Sequence, residues 1–142
     1  MSAEREAAAL AERYARRSDP GRYSPLRPDV WQTLHERQRA LLGLLAQTGL
    51  HDLSQLRLLE VGCGAGGNLL ELLRLGFAPD KLSGIELLPE RLALARAVLP
   101  EALVLRGGDA LDAAVPDRSL DIVFVSTVFS SLLDDAFHMG IA

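Results

Sequence analysis

A single cysteine, Cys63, stands in a chain of 142 residues. No intrachain disulfide can form and no cysteine-based metal site can be assembled. The three histidines, His35, His51 and His138, are far apart and follow no ligand spacing, so no metal is predicted. The chain lacks any run of about 18 apolar residues, and Met1-Ser2-Ala3-Glu4-Arg5-Glu6 is charged where a secretory signal needs an apolar stretch. These absences predict a cytoplasmic protein with no transmembrane segment. An excess of basic charge is missing too. Net charge is −4, and residues 58–142 carry six Lys/Arg against twelve Asp/Glu, a poor match for a nucleic-acid backbone. Arg13, Arg16, Arg17, Arg22 and Arg27 form the only basic patch, read as a solvated helix face and the loop after it.

What remains is the composition of a soluble globular domain, 49% apolar and 24% charged. The length suits one domain over 1–142, with an N-terminal helical segment (1–55) and an α/β part (56–142). Residues 3–17 place Ala3, Ala7, Leu10, Ala11 and Tyr14 at helical spacing, with charges on the other side. Three prolines and a glycine in 18–28 then break the helix. A second helix is predicted from Pro28 to about Gly49, with Val30, Trp31, Leu34, Leu41, Leu42 and Leu45 along one side and Trp31 and Leu34 in the core.

From Leu56 the pattern alternates between strand and helix. Four short apolar runs, 57–61, 82–86, 103–106 and 120–126, suit strands covered on both faces. A helix over 68–75 is closed by Gly76 with Phe77 after it, and a second over 89–99 opens on Pro89 and stops before Pro100. Between the third and fourth strands the segment 110–118 reads as a loop with one helical turn. Such alternation implies right-handed crossovers and a parallel sheet.

The chemistry concentrates in Glu60-Val61-Gly62-Cys63-Gly64-Ala65-Gly66-Gly67, directly after the first strand and before a helix. Bare backbone there lets a ligand lie against the turn, and the helix N-terminus offers amide groups. Two spacings are satisfied at once. Gly62, Gly64 and Gly67 fit the dinucleotide fingerprint Gly-x-Gly-x-x-Gly, which points to a nicotinamide-dependent oxidoreductase. Gly62, Gly64 and Gly66, with Glu60 two residues ahead, fit Glu/Asp-x-Gly-x-Gly-x-Gly instead. Glu60 is hard to explain without function, since a carboxylate on an apolar strand costs energy unless hydrogen-bonded. Glu86 ends the second strand 24 residues after Gly62, where either family uses an acid for the ribose hydroxyls. Gly108-Asp109-Ala110 follows the third strand. Cys63 has no histidine near it in sequence and reads as a small buried filler. Asp121 reads as structural.

These segments, with Pro116-Asp117-Arg118-Ser119-Leu120-Asp121 leading into the fourth strand, resemble the class I S-adenosylmethionine-dependent methyltransferases over roughly residues 56–130. The resemblance implies a Rossmann-like sheet in strand order 3-2-1-4, preceded by two N-terminal helices. It also implies S-adenosylmethionine as cofactor and a small molecule, sugar, lipid or protein as methyl acceptor. By this resemblance Gly62, Gly64 and Gly66 approach the methionine part and Glu60 orients the loop and its amino group. Glu86 holds the ribose, and Asp109 with Ala110 holds the adenine. Cys63, Leu87 and Ser126 complete the expected cofactor contacts, while Ser126, Thr127 and Val128 face the methyl group and the substrate. Acceptor contacts in the family often come from the N-terminal helices, which brings in Tyr14, Arg17 and Tyr23. No catalytic base is singled out. A non-catalytic methyltransferase-like binding module is the other reading. The family sheet has seven strands, so strands five to seven are expected to be absent. Strand four then becomes an edge with Ile122, Phe124 and their neighbours exposed, and a homo-oligomer or a partner chain is predicted to cover it.

Overall fold

The structure is a computed structural model, and it describes residues 3–17, 19 and 21–128. The chain divides into two compact units, one of Met1–Arg13 with Leu53–Ala142, the other of Tyr14–Asp52. Helix α1 (Ala3–Arg16) forms where predicted, and its buried positions include Glu6 as well as Leu10. Residues four apart share a helix face, so this carboxylate follows Leu10 inward and the buried side is not purely apolar.

Helix α2 (Pro28–Gln47) opens on proline, and Arg27 before it forms an ion pair with Asp29 at 3.0 Å. The expectation that Trp31 and Leu34 are core is not met. Trp31 is 55% exposed and Leu34 is exposed too, with Leu45 the buried residue of the helix. The apolar stripe is present, but nothing covers most of it among the described residues.

The α/β part follows the predicted alternation. Strand β1 (Leu58–Val61) leads to helix α3 (Gly67–Leu75), then β2 (Leu82–Glu86), helix α4 (Pro89–Val98), β3 (Val104–Gly107) and β4 (Ile122–Val125). Helix α3 ends where Gly76 takes the left-handed conformation, the Phe77 amide donates to the Leu72 carbonyl at 3.1 Å, and the Phe77 side chain is buried. The strands form one sheet in order β3-β2-β1-β4, every pair parallel.

Aligned partners in a parallel sheet share a face. One face carries Leu58, Glu60, Leu82, Gly84, Gly107, Ile122 and Phe124. It meets α3 and α4: a Cβ at Gly84 would lie 3.0 Å from Leu69, and one at Gly107 would lie 3.0 Å from Leu92. Leu58, Leu69, Leu72 and Leu82 are its fully buried core. The other face carries Leu59, Val61 and Ile85, with Ala110, Ala113, Leu120 and Val125 packed on them. A groove of about 200 Å³ remains there between Leu59, Val104, Arg106 and Pro116.

At β4 the exposed side chain is Val123, at 59%, while Ile122 and Phe124 are half-buried. The expectation of exposed side chains on this strand is met at Val123, the neighbour of both, and corrected at Ile122 and Phe124 by the register. These two share the face of Leu58 and Glu60, which α3 shields, whereas Val123 lies on the opposite face beside Leu59.

Candidate cofactor site

Parallel strands place their carboxyl ends together, and the register sets Val61 beside Ile85 and Val125, and Glu86 beside Gly107. The chain leaves β1 toward β2 on one side while β4 lies on the other, so the mouth of the site is where the strand order reverses. Ligands in open α/β sheets bind at such a point.

The glycine turn crosses this end. Gly62 and Cys63 both donate their amides to the Ile85 carbonyl, at 2.8 and 3.0 Å, which ties the turn to β2. Gly62 has φ +70°, and a Cβ there would stand 2.5 Å from Val128 Cγ2. Gly64 has φ +57°, and a Cβ there would strike the Arg91 guanidinium at 2.5 Å. Gly62 demands glycine by conformation and by close approach, and Gly64 demands it by conformation, since the Arg91 guanidinium can swing aside.

The competing fingerprints part at the third glycine. A dinucleotide site uses it for close packing of helix on strand. Gly67 has nothing within 4 Å of its Cβ position, whereas Gly66 would meet Leu99 at 2.8 Å and Ala95 at 3.4 Å. Close packing therefore falls on Gly66, in the spacing Gly62, Gly64, Gly66.

Two carboxylates lie beneath the turn. Glu86 is 7% exposed, and its oxygens accept from the Gly64 amide at 2.7 Å and the Leu88 amide at 2.9 Å. Glu60 is 1% exposed, and its Oε1 accepts from Asn68 Nδ2 at 2.6 Å. Cys63 lies between them in buried surroundings. Burial, and then the charges of Glu60 and Glu86, push its thiol up to about 12, so it is inert at neutral pH.

Asp109 starts the turn Ala110–Asp112 and accepts from the Leu111 amide at 2.9 Å. The Gly108 amide donates to the Glu86 carbonyl at 3.1 Å, which brings Asp109 and Ala110 to the end of β2. Leu87 is half-buried beyond Glu86. Ser126 and Thr127 follow β4 beside the turn, Thr127 with φ +61° and its hydroxyl donating to the Ser126 carbonyl at 2.6 Å. Tyr14, Arg17 and Tyr23 belong to the other compact unit. There the Arg17 guanidinium lies 5.7 Å from the Tyr14 ring centre, and Tyr23 is exposed.

Sequence reasoning missed Asn68 and Arg91 as neighbours of the turn, whereas Val128, expected at the methyl group, does lie against Gly62. Arg91 carried a readable signal, since a cation in the first turn of a helix opposes the helix dipole. Asn68 carried a weaker one, a polar residue just inside α3 opposite an acid on a buried strand.

A model of a methyltransferase domain matches residues 59–138. A trans-aconitate 2-methyltransferase of Escherichia coli O1:K1 / APEC is 29% identical over 99 residues, which are 70% of this chain and 37% of that protein. Among solved structures, S-adenosylmethionine-bound CalS10, an amino pentose methyltransferase from Micromonospora echinaspora, is 27% identical with a TM-score of 0.50. That match covers 92% of this chain and 48% of the other. Phosphoethanolamine N-methyltransferase 1 of Haemonchus contortus shares the fold at 18% identity, with a TM-score of 0.64 over 99% of this chain and 29% of its own. The chain thus spans less than half the length of each of these three relatives. With the strand order, the glycine turn and the domain match in agreement, the chain belongs to the class I S-adenosylmethionine-dependent methyltransferase family.

Proposed function

We propose that this chain forms the cofactor-binding half of a methyltransferase that moves a methyl group from S-adenosylmethionine to a small polar acceptor. The observation that carries the reading is Glu86. A carboxylate offers about four acceptor sites. The Gly64 and Leu88 amides take two of them, one on each oxygen, and hold the group fixed at the end of β2. A ribose diol presents two hydroxyl donors, and the remaining acceptor capacity fits them.

The other assignments follow from the same placement. Asp109 and Ala110 hold the adenine edge, and the turn from Gly62 to Gly66, ordered from below by Glu60, carries the methionine part. Cys63 and Leu87 line the site. When bound, S-adenosylmethionine supplies a methyl group on a sulfonium that is already a good leaving group. The protein then has to hold the acceptor atom in line with that methyl, a proximity effect worth several kcal/mol of barrier (on the order of 7–11 at best). Ser126 and Thr127 at the end of β4 are the residues proposed to face the acceptor. A small acceptor is favoured because one relative is named for trans-aconitate and another for an amino pentose.

The outer edge of β4 pairs with no strand among the described residues. We read it as an association edge, covered by a second copy or a partner chain. The single cysteine suits the reducing cytoplasmic setting that this reading proposes. No helix among the described residues is long and apolar enough to cross a membrane.

Calorimetric titration with S-adenosylhomocysteine and with NAD tests the reading. Saturable binding of the first and none of the second is expected. Binding of NAD alone would overturn it. Light scattering tests the edge, where a well-behaved monomer would count against association.

A further inference from the structure

The sheet face opposite α3 and α4 keeps a groove of about 200 Å³. Register partners in a parallel sheet share a face, so its floor is the rung Leu59–Ser83–Val104, with Ile85 and Arg106 paired on the next rung. Val115, Pro116 and Leu120, from the segment before β4, form its wall. Arg57 and Lys81, which stand just ahead of β1 and β2, line its lower end together with Asp80. The groove therefore opens at the amino ends of the strands, whereas the glycine turn crosses the carboxyl ends, where open parallel sheets ordinarily hold their ligands. No residue of the turn lines it.

Its chemistry is apolar below and positive at the rim. Ser83 spends its hydroxyl proton on the Leu58 carbonyl at 3.1 Å, so the floor itself offers a ligand no donor. Of the three cations, Arg57 is committed to Asp121, with Nε and Nη2 each at 3.1 Å. Lys81 and Arg106 form no ion pair among the described residues. Arg106 makes one long contact, from Nη1 to the Ala114 carbonyl at 3.5 Å, and Asp80 is the single acid of the lining. Residues 58–142 hold twelve acids against six bases, and two of those six meet here. A guanidinium presents five N–H donors in a planar fork that matches a carboxylate, and most of that fork on Arg106 is open. A volume of about 200 Å³ is below that of pockets for drug-sized ligands, which limits the occupant to about one ring.

We propose that this groove binds a small carboxylate with an apolar body. The carboxylate lies on Arg106, the body rests on the Leu59–Ser83–Val104 rung, and Lys81 adds positive charge at the lower end. It is a second site, separate from the cofactor cleft, and it does not depend on the cofactor reading.

Benzoate is the test ligand, with benzamide as its uncharged isostere and acetate as the anion without the ring. Methyl-resolved NMR titration of the unaltered chain is expected to show saturable shifts at Leu59, Ile85, Val104 and Val115 with benzoate. Benzamide and acetate should each bind roughly 10- to 100-fold more weakly. Arg106 is exposed, so Arg106→Gln leaves the fold intact; it should weaken benzoate by a similar factor and leave benzamide unchanged. Lys81→Gln should weaken benzoate by roughly 2- to 5-fold. Saturating S-adenosylhomocysteine should not displace benzoate. No saturable shift, shifts gathered at the glycine turn, displacement by S-adenosylhomocysteine, equal binding of benzamide, or full affinity in Arg106→Gln each overturn the proposal. So does self-association that Arg106→Gln dissolves while benzoate stays unbound, since a second copy would then hold the groove. If S-adenosylhomocysteine itself does not bind, the cofactor reading fails alone and the map of shifted methyls still decides this one.

Discussion

The two central strands and the two outer ones are built differently. Every residue of β1 is buried and β2 is buried apart from a half-exposed Ser83, whereas β3 exposes Val104, Arg106 and Gly107 and β4 exposes Val123. The central pair is roofed by α3 and α4 and carries Glu60, Glu86 and the glycine turn. On the opposite face the segment 108–120 packs on Leu59, Val61 and Ile85 of that same central pair and leaves a groove toward Val104 and Arg106 of β3. Glu60, Glu86 and the glycine turn therefore rest on a packed core, whereas Asp109, Ser126 and Thr127 follow the lightly covered outer strands.

The largest effect that sharpens this contrast is in the core. Leu69→Ala removes a fully buried side chain that touches Gly84, and a loss of about 2–5 kcal/mol is expected. Val123→Ala, on the 59%-exposed β4 position, should stay within about 0.5 kcal/mol. Urea unfolding midpoints measure both, and comparable losses would show that the outer margin is as packed as the centre.

The acids repeat the contrast in the site. Glu86→Ala strips the Gly64 and Leu88 amides of their acceptor in a buried place, at about 1–3 kcal/mol for each, and should abolish binding of S-adenosylhomocysteine. Asp109→Ala loses one turn-capping bond, costing about 1 kcal/mol, and should weaken the ligand while the fold survives. Thermal unfolding read beside calorimetry separates the two quantities. An Asp109 variant with unchanged affinity would remove that residue from the site.

Next come the glycines. A Cβ at Gly84 would lie 2.9 Å from Cys63 Sγ and 3.0 Å from Leu69 Cδ1, so Gly84→Ala overpacks the core by about 1–3 kcal/mol. Gly67→Ala meets open space in the first turn of α3 and should be neutral or stabilising, by about 0.4–1 kcal/mol. A serious loss at Gly67 would show that a close contact of the turn falls there as well as at Gly66.

Much of this was legible in the sequence because local signals and the fold agreed. Pro89 at a helix start, Gly76 before Phe77 at a helix end, and four apolar runs placed β2 to the residue and the other strands to within two residues at either end. The position of Glu86 at the end of β2 was legible as well, because the apolar run before it marks the strand. The pairing of Asn68 with Glu60 and the stand of Arg91 against Gly64 were not, because both depend on how α3 and α4 lie over the sheet. Trp31 misled for a related reason. Helical spacing shows that a stripe exists, while burial depends on what covers it.

The smallest effect concerns how the margin is fastened. Asp121, just ahead of β4, accepts from the Arg57 amide at 2.8 Å, from Nε at 3.1 Å and from Nη2 at 3.1 Å, and its own amide donates back to the Arg57 carbonyl at 2.9 Å. The hydrogen bonds from the Arg57 side chain and then its amide hold the carboxyl at about 2, below an ordinary 3.8. A depressed carboxylate adds stability above its unfolded value and loses it as pH falls through the folded one, so this contribution fades between pH 3.8 and about 2. Because the pair is solvent-exposed, salt screens it and the contribution is small. Asp121→Asn should flatten that part of the unfolding-midpoint curve at low ionic strength, and the difference from the unaltered chain should shrink in salt. An unchanged acid limb in the variant would mean that β4 is held by its pairing with β1 alone, and the lightly covered margin would then depend on backbone hydrogen bonds rather than on charge.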